Sequence, residues 1–208
     1  IRPHDIFSVS LKTFMESIGA KGGMSLTSGF DVAFKFSEEA SWIEAGGYYN
    51  DSKLITMLCD EAQLPNVQAG VAQVTGRYLG EGPIYYPHTR IYTDFSLGFM
   101  LDRDLTPLKF MNDWMEQIFG DNFGSGGLQP NKTNRINRLK YPDTYTCTLA
   151  ISKTEPDPGS YNGYIGGTYL LENCYPYSID AVPLAYGSSQ VTRLTCNFYY
   201  TRHTFQPG

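Results

Sequence analysis

Apolar and polar residues alternate along much of this chain. Phe30, Val32, Phe34 and Phe36 are separated by Asp31, Ala33 and Lys35. The same period of two returns at Phe95, Leu97, Phe99 and Leu101, and at Tyr145, Cys147, Leu149 and Ile151. It returns once more at Leu194, Cys196, Phe198 and Tyr200. Each run sets one face toward a core and the other toward solvent, the mark of a half-buried strand. Further strands are expected at Leu54–Cys59, Val71–Leu79, Ile84–Tyr86, Gly167–Glu172 and Ser178–Tyr186. Pro65, Gly70, Pro83, Pro156 and the glycines between 159 and 167 punctuate them. The layout predicts a mainly β fold, an antiparallel sandwich or barrel.

Two segments follow a helical period instead. Over Thr106–Gly120, Leu108, Met111, Trp114, Met115, Ile118 and Phe119 form one stripe. Thr106 is placed to cap this helix, Pro107 suits its first turn and Gly120 its end. A shorter helix is expected over Asp5–Ile18, with Leu11, Phe14, Met15 and Ile18 on one side and Gly19 closing it. Residues 121–141 are rich in Gly and Asn and carry Lys132, Arg135, Arg138 and Lys140. They read as an extended loop bearing the one local cluster of positive charge. The chain thus divides into an N-terminal arm and helix, residues 1–28, and a β domain, residues 29–208.

Composition narrows the function. Of 208 residues only 18% are charged, 14% are aromatic, and 16 are tyrosine. A surface left to Tyr, Thr, Ser and Asn suits a protein whose outside is buried against neighbours. The net charge of −5 and the absence of a basic run disfavour a conventional nucleic-acid binder. A protein that DNA slides past is not disfavoured, since like charge prevents sticking.

Catalytic chemistry finds little support. Cys59, Cys147, Cys174 and Cys196 lack C-x-x-C spacing, and His4, His88 and His203 lie far apart, so a zinc site is not expected. Cys147 and Cys196 fall on the apolar parity of strands and read as free thiols, with a disulfide as the alternative. Asp102 and Asp104 share a face in an extended segment and could hold a cation, but acidic residues there also meet the N-terminus of the helix that follows. The helix reading is preferred. His88 reads as a turn residue, and Gly124-Ser125-Gly126-Gly127 lacks the Lys and Ser/Thr of a phosphate loop. No catalytic, cofactor or metal site is expected, nor a signal peptide or an apolar stretch of membrane-spanning length. Synthesis in a reducing cytoplasm follows.

In order, the segments GFDVAFKF, LITMLCDEAQLP, VTGRYLGEGPIYYPHTRIYTDFSLGFMLDRD and PLKFMNDWMEQIFG lead to YLLENCYPYSIDAVPLAYGSSQVTRLTCNFYYTRHTF. This order resembles the tail tube proteins of T-even-like contractile bacteriophages, over roughly residues 29–205. The residues that carry the resemblance are Leu64-Pro65, Tyr86-Pro87, Arg90, Trp114, Tyr175-Pro176, Ser178 and Leu184. Baseplate tube-initiator proteins, tail-completion proteins and the tube protein of type VI secretion share the fold. The resemblance implies a non-catalytic virion protein that forms six-membered rings stacked into a hollow tube. Its partners would be itself, a tail sheath, a baseplate hub and a tail terminator. DNA would pass through the lumen without specific binding; six copies at −5 each give a ring a net charge of about −30. Assembly would take place in the cytoplasm of the host bacterium, with no membrane anchor. Lys132, Arg135, Arg138 and Lys140 become candidates for contact with a neighbouring ring or a sheath. Two other readings remain: a tube-initiator or tail-completion protein of the same fold, and a monomeric β-protein that binds a ligand or carbohydrate.

Overall fold

The computed structural model describes residues 11–38, 40, 42–45, 47–76, 82–119, 139–157, 160–184, 186–187 and 190–208. In chain order the elements are α1 (Leu11–Gly19), β1 (Phe30–Phe36), α2 (Trp42–Ala45), α3 (Tyr48–Met57), β2 (Cys59–Ala62), β3 (Val67–Val74), β4 (Ile84–Tyr92) and β5 (Phe95–Met100). Then follow α4 (Thr106–Phe119), β6 (Cys147–Asp157), β7 (Ser160–Ile179), β8 (Arg193–Tyr199) and β9 (Arg202–Pro207). The fold is mainly β and antiparallel, as the alternation predicts.

Six strands run in the order β1-β6-β7-β8-β5-β2, and β9 adds to β7 beside them. β7 is the hub. It pairs β6 along one side, while its other side takes β9 at residues 167–172 and β8 at residues 175–179. Such a long strand can serve two neighbours because it is broken internally. Asn173 has φ +54°, a left-handed conformation that Asn tolerates, and the register with β6 slips there: Leu171 faces Leu149 while Cys174 faces Cys147. Both Leu171 and Cys174 therefore point into the core although they are three residues apart.

The core lies between this sheet and α4. Val32, Phe95, Leu97, Phe99, Leu149, Ile151, Leu194, Cys196 and Phe198 supply its strand side, every second residue as expected. From the helix come Pro107, Phe110, Met111, Trp114 and Ile118. The stripe is turned slightly from the expected one: Phe110 is buried, Leu108 and Met115 sit at the margin, and Phe119 is exposed. Trp114 is fully enclosed, edge-on to Phe34 and Phe36, and its indole N–H donates to the Tyr145 carbonyl at 2.7 Å. A large ring with its one polar atom satisfied is a strong anchor for helix on sheet.

The start of α4 is fixed differently from the expectation. Asp102, not Thr106, is the cap: its carboxylate accepts the Thr106 N–H at 2.6 Å and the Thr106 hydroxyl at 2.7 Å. These bonds hold the Asp102 carboxyl below its usual range, the hydroxyl contributing most. Gly120 and the loop at 121–138 lie outside the described residues.

Three further expectations are corrected. Residues 54–57 are the end of helix α3, not a strand; a short apolar run such as Leu-Ile-Thr-Met fits either period, and here burial of Ile55 beside Trp42 and Tyr48 in the core decides for helix. α2 and α3 thus add two helices between β1 and β2. The strand expected at 178–186 ends at Ile179, before Pro183. β3 begins at Val67 and ends at Val74, and β4 continues past Tyr86 to Tyr92, so His88 lies inside a strand and not in a turn.

All four cysteines are free and buried. Burial pushes the Cys59 and Cys196 thiols up to about 12 and raises Cys147, which faces Cys174, well above its usual value. They serve as small apolar side chains of the core.

Candidate assembly surface

β3 and β4 form a sheet of their own, paired from Val67↔Tyr92 to Val74↔Ile84. Every described residue of this hairpin is exposed except Gly70, Ile84 and Tyr92, which are half-buried. Val67, Val71, Val74, Tyr85, Tyr86 and Ile91 all stand in solvent. A two-stranded ribbon with neither face covered is marginal in water. Exposed ribbons that stay solitary are usually guarded by charge. Here Arg90 is the one formally charged residue in either strand.

Among the described residues the ribbon is tied down at its base. The Tyr92 ring lies against Tyr200 at 5.8 Å and His203 at 5.0 Å, and the Tyr200 hydroxyl donates to the Asn66 carbonyl at 3.2 Å. Burial, then the charge of Arg90, lowers the His203 pKa and favours a neutral imidazole; burial pushes Tyr200 up to about 12. Just past β4, Asp94 accepts a 2.6 Å bond from Tyr177, which raises that phenol to about 12. These contacts fix where the hairpin leaves the body and leave its length uncovered.

The sheet also has free edges. β1 pairs β6 alone, β2 pairs β5 alone and β9 pairs β7 alone among the described residues. Each presents a row of backbone donors and acceptors that another strand can take up.

The residues singled out in sequence divide among these regions. Tyr86, Pro87 and Arg90 lie on β4, in the open ribbon. Pro87 faces Val71, where the register slips after Gly70, a place in the ladder that tolerates a missing N–H. Pro176 sits at a similar slip between β7 and β8. Tyr175 and Ser178 share that strand, half-buried, while Leu184 is exposed beyond it. Pro65 is buried and Leu64 exposed in the link between β2 and β3. Trp114 belongs to the core. Lys132, Arg135 and Arg138 lie outside the described residues. Lys140 is turned back onto α4, its ammonium donating to Gln117 and its N–H to the Ile118 carbonyl at 3.2 Å.

What sequence reading missed is the solitude of the hairpin. The strands are legible from β-branched and aromatic residues, but their lack of a core face shows only as low charge on both parities. Among the described residues no cluster of three or more metal-ligating side chains occurs, and no helix is long and apolar enough to cross a membrane.

Residues 25–206 match the model of a family described as phage tail tube protein. No curated protein matches by sequence. In fold the chain is similar to one in the cryo-EM structure of the anti-feeding prophage baseplate, 6-fold symmetrised, with a TM-score of 0.58 and 12% identity over 89% of this chain and 97% of that one. It is similar as well to a chain of the sheath-tube complex of an extracellular contractile injection system in its extended state. There the TM-score is 0.56, with 12% identity over 89% and 92% of the two chains. A chain of the tube-terminating cap of the anti-feeding prophage gives a TM-score of 0.56 and 12% identity over 89% and 92%. At this identity the likeness is one of fold.

Proposed function

The chain belongs to the phage tail tube protein family, and on that premise we propose that it forms six-membered rings that stack into the hollow tube of a contractile tail. DNA would leave through the lumen, and the protein would act without catalysis, cofactor or metal. The observation that carries this reading is the β3–β4 ribbon, rich in exposed Val, Tyr and Ile, nearly free of charge and left uncovered by the described residues of its own chain. A contact between unlike surfaces of successive copies closes into a ring when its rotation closes and otherwise repeats as an open filament, so one such contact can form the ring and another the stack. The open edges of β1, β2 and β9 supply strands for the joins within a ring, and the ribbon supplies the reach between rings.

As a tube protein the chain is a component of the virion. Assembly in the host cytoplasm, a sheath outside the tube, and a baseplate hub and terminator at its ends belong to the same proposal. So does contact of the basic segment at 132–140 with a neighbouring ring or sheath. Replacing Arg135, Arg138 and Lys140 with Ser should weaken tube growth and leave monomer stability within about 0.5 kcal/mol. Acidic subunits suit the lumen because like charge keeps DNA from adhering.

Negative-stain electron microscopy of the purified chain tests the reading. Rings or tubes should form and persist in molar sodium chloride with dithiothreitol, since apolar burial is not screened and the thiols are not bridged. A monomer at every concentration would sink it and favour a binding module. Rings that never lengthen would point to the tube-initiator role.

A further inference from the structure

Helix α1 carries Leu11, Phe14, Met15 and Ile18 on one face, and none of its residues is buried. Leu11 is 73% exposed and Met15 65%. Past Gly19 the helix closes in a turn in which the Gly22 N–H bonds the Gly19 carbonyl and the Gly23 N–H bonds the Ile18 carbonyl. Gly22 and Gly23 have φ of +86° and +106°, and nothing crowds either, so the chain can change direction there. The apolar stripe is thus carried on a jointed arm that buries none of it against the described residues.

The same chain holds a cavity of about 790 Å³ beside β9. Met24, Leu26, Leu64, Tyr164, Tyr169 and Phe205 give it apolar walls. Its floor is rigid: the Phe205 ring lies 4.9 Å from Tyr169 and over Gly167, where even a Cβ would come within 2.5 Å of the ring. Residues 21–26 form another wall, clasped to β6 where Glu155 accepts the Leu26 N–H at 3.1 Å. This last wall decides the occupant. For α1 to fold back into its own cavity, residues 21–23 would have to leave the wall, and the cavity would open as it was filled. A helix from another copy meets no such conflict.

We propose that α1 of one copy seats its Leu11–Phe14–Met15–Ile18 face in the cavity beside β9 of the next copy. This deepens the tube reading and rests on it. The cavity reaches across β6, β7 and β9, with Phe205 of β9 in its floor, so an arm seated there lies beside the strand that offers a free edge to the join proposed above. The contact is heterologous, helix to cavity, and each copy both gives and receives one arm. An i, i+3, i+4, i+7 stripe in an apolar groove is a common mode of recognition.

The test mixes two single variants of the full chain, one carrying Met15→Cys and labelled with heavy isotopes, the other Phe205→Cys and unlabelled. After co-assembly and mild oxidation, a disulfide between heavy and light peptides is expected, and it can form only between copies. A second pair, Phe14→Asp with Met15→Asp in one chain, should raise the concentration needed for assembly about tenfold or more while the monomer unfolds as before. Tubes that form with no heavy–light bond and no loss in the Asp variant overturn the arm exchange and leave the tube reading standing. A bond found only when both cysteines lie in one chain shows the arm seated at home and overturns it too. If the unmodified chain makes neither rings nor tubes, both readings fall.

Discussion

β1 and β3 are strands of nearly equal length, both antiparallel, both with valine in the middle. Val32 of β1 is 1% exposed and Val71 of β3 is 56% exposed. The difference lies in what surrounds them. β1 lies against β6 with α4 above it, so Phe34 meets Phe110, Trp114 and Phe198, and Phe36 meets Phe110 and Trp114. Among the described residues β3 pairs β4 alone, and seven of its eight residues are exposed. Folding energy is concentrated in the first region, and the second holds apolar surface in reserve. The valines of β3 and the Tyr and Ile of β4 add little to their own monomer, and the proposed tube would give that surface its partner in another copy.

The largest break in this comparison is at Trp114. Trp114→Ala should cost about 3–5 kcal/mol, because the ring is fully enclosed and its N–H bond to Tyr145 is lost with it. The measurement is urea unfolding of a monomer kept from assembling by Val71→Asp and Val74→Asp. A cost under about 1 kcal/mol would mean that α4 is not the lid of the core.

The paired valines give the sharper form. Val32→Ala should destabilise that monomer by on the order of 2 kcal/mol, since two buried methyl groups go and a small cavity stays. Val71→Ala should stay within about 0.5 kcal/mol in the monomer. In assembly the order reverses: Val71→Asp should abolish tubes seen by electron microscopy while unfolding hardly changes. Equal costs for the two alanines would show that the ribbon packs on its own body in solution.

Much of this contrast was legible beforehand, and the exceptions have physical causes. The four alternating runs became β1, β5, β6 and β8 within a residue or two at most ends, because a buried face enforces the period. β7 was read as two pieces because Asn173 resets the parity in mid-strand, and a bulge leaves no regular mark in sequence. α3 was hidden because Leu54, Ile55 and Met57 fit both periods, and only the packing of Ile55 chooses. The surface proved hardest. Tyr86, Pro87 and Arg90 were singled out by resemblance, but that they stand on an uncovered ribbon depends on what other strands do. The cavity beside β9 joins residues from 21 to 205, a separation no local pattern spans.

The smallest expected effect is at the clasp between the arm and the body, where neither apolar burial nor an open ribbon is involved. Glu155 accepts the Lys153 ammonium at 2.7 Å, the Ser25 hydroxyl and the Leu26 N–H. Lys153 also donates to the Gly29 carbonyl at 2.8 Å, which ties the linker to β6 from both ends. The Lys153 bond first, and the Ser25 bond next, lower the Glu155 carboxyl to about 2. Its folded pKa lies below the unfolded value near 4.5. The clasp therefore contributes in full above about pH 4.5 and is lost as pH falls through about 2. The amide resonance of Leu26 in the Val71→Asp, Val74→Asp monomer should report this, moving with a midpoint near pH 2. In Glu155→Gln the movement should vanish and cleavage by trypsin after Lys21 should quicken, while urea unfolding of the core changes little. A Leu26 midpoint near 4.5 would mean that the carboxylate is free in solution, and the arm would then be loose at its root as well as at its glycines.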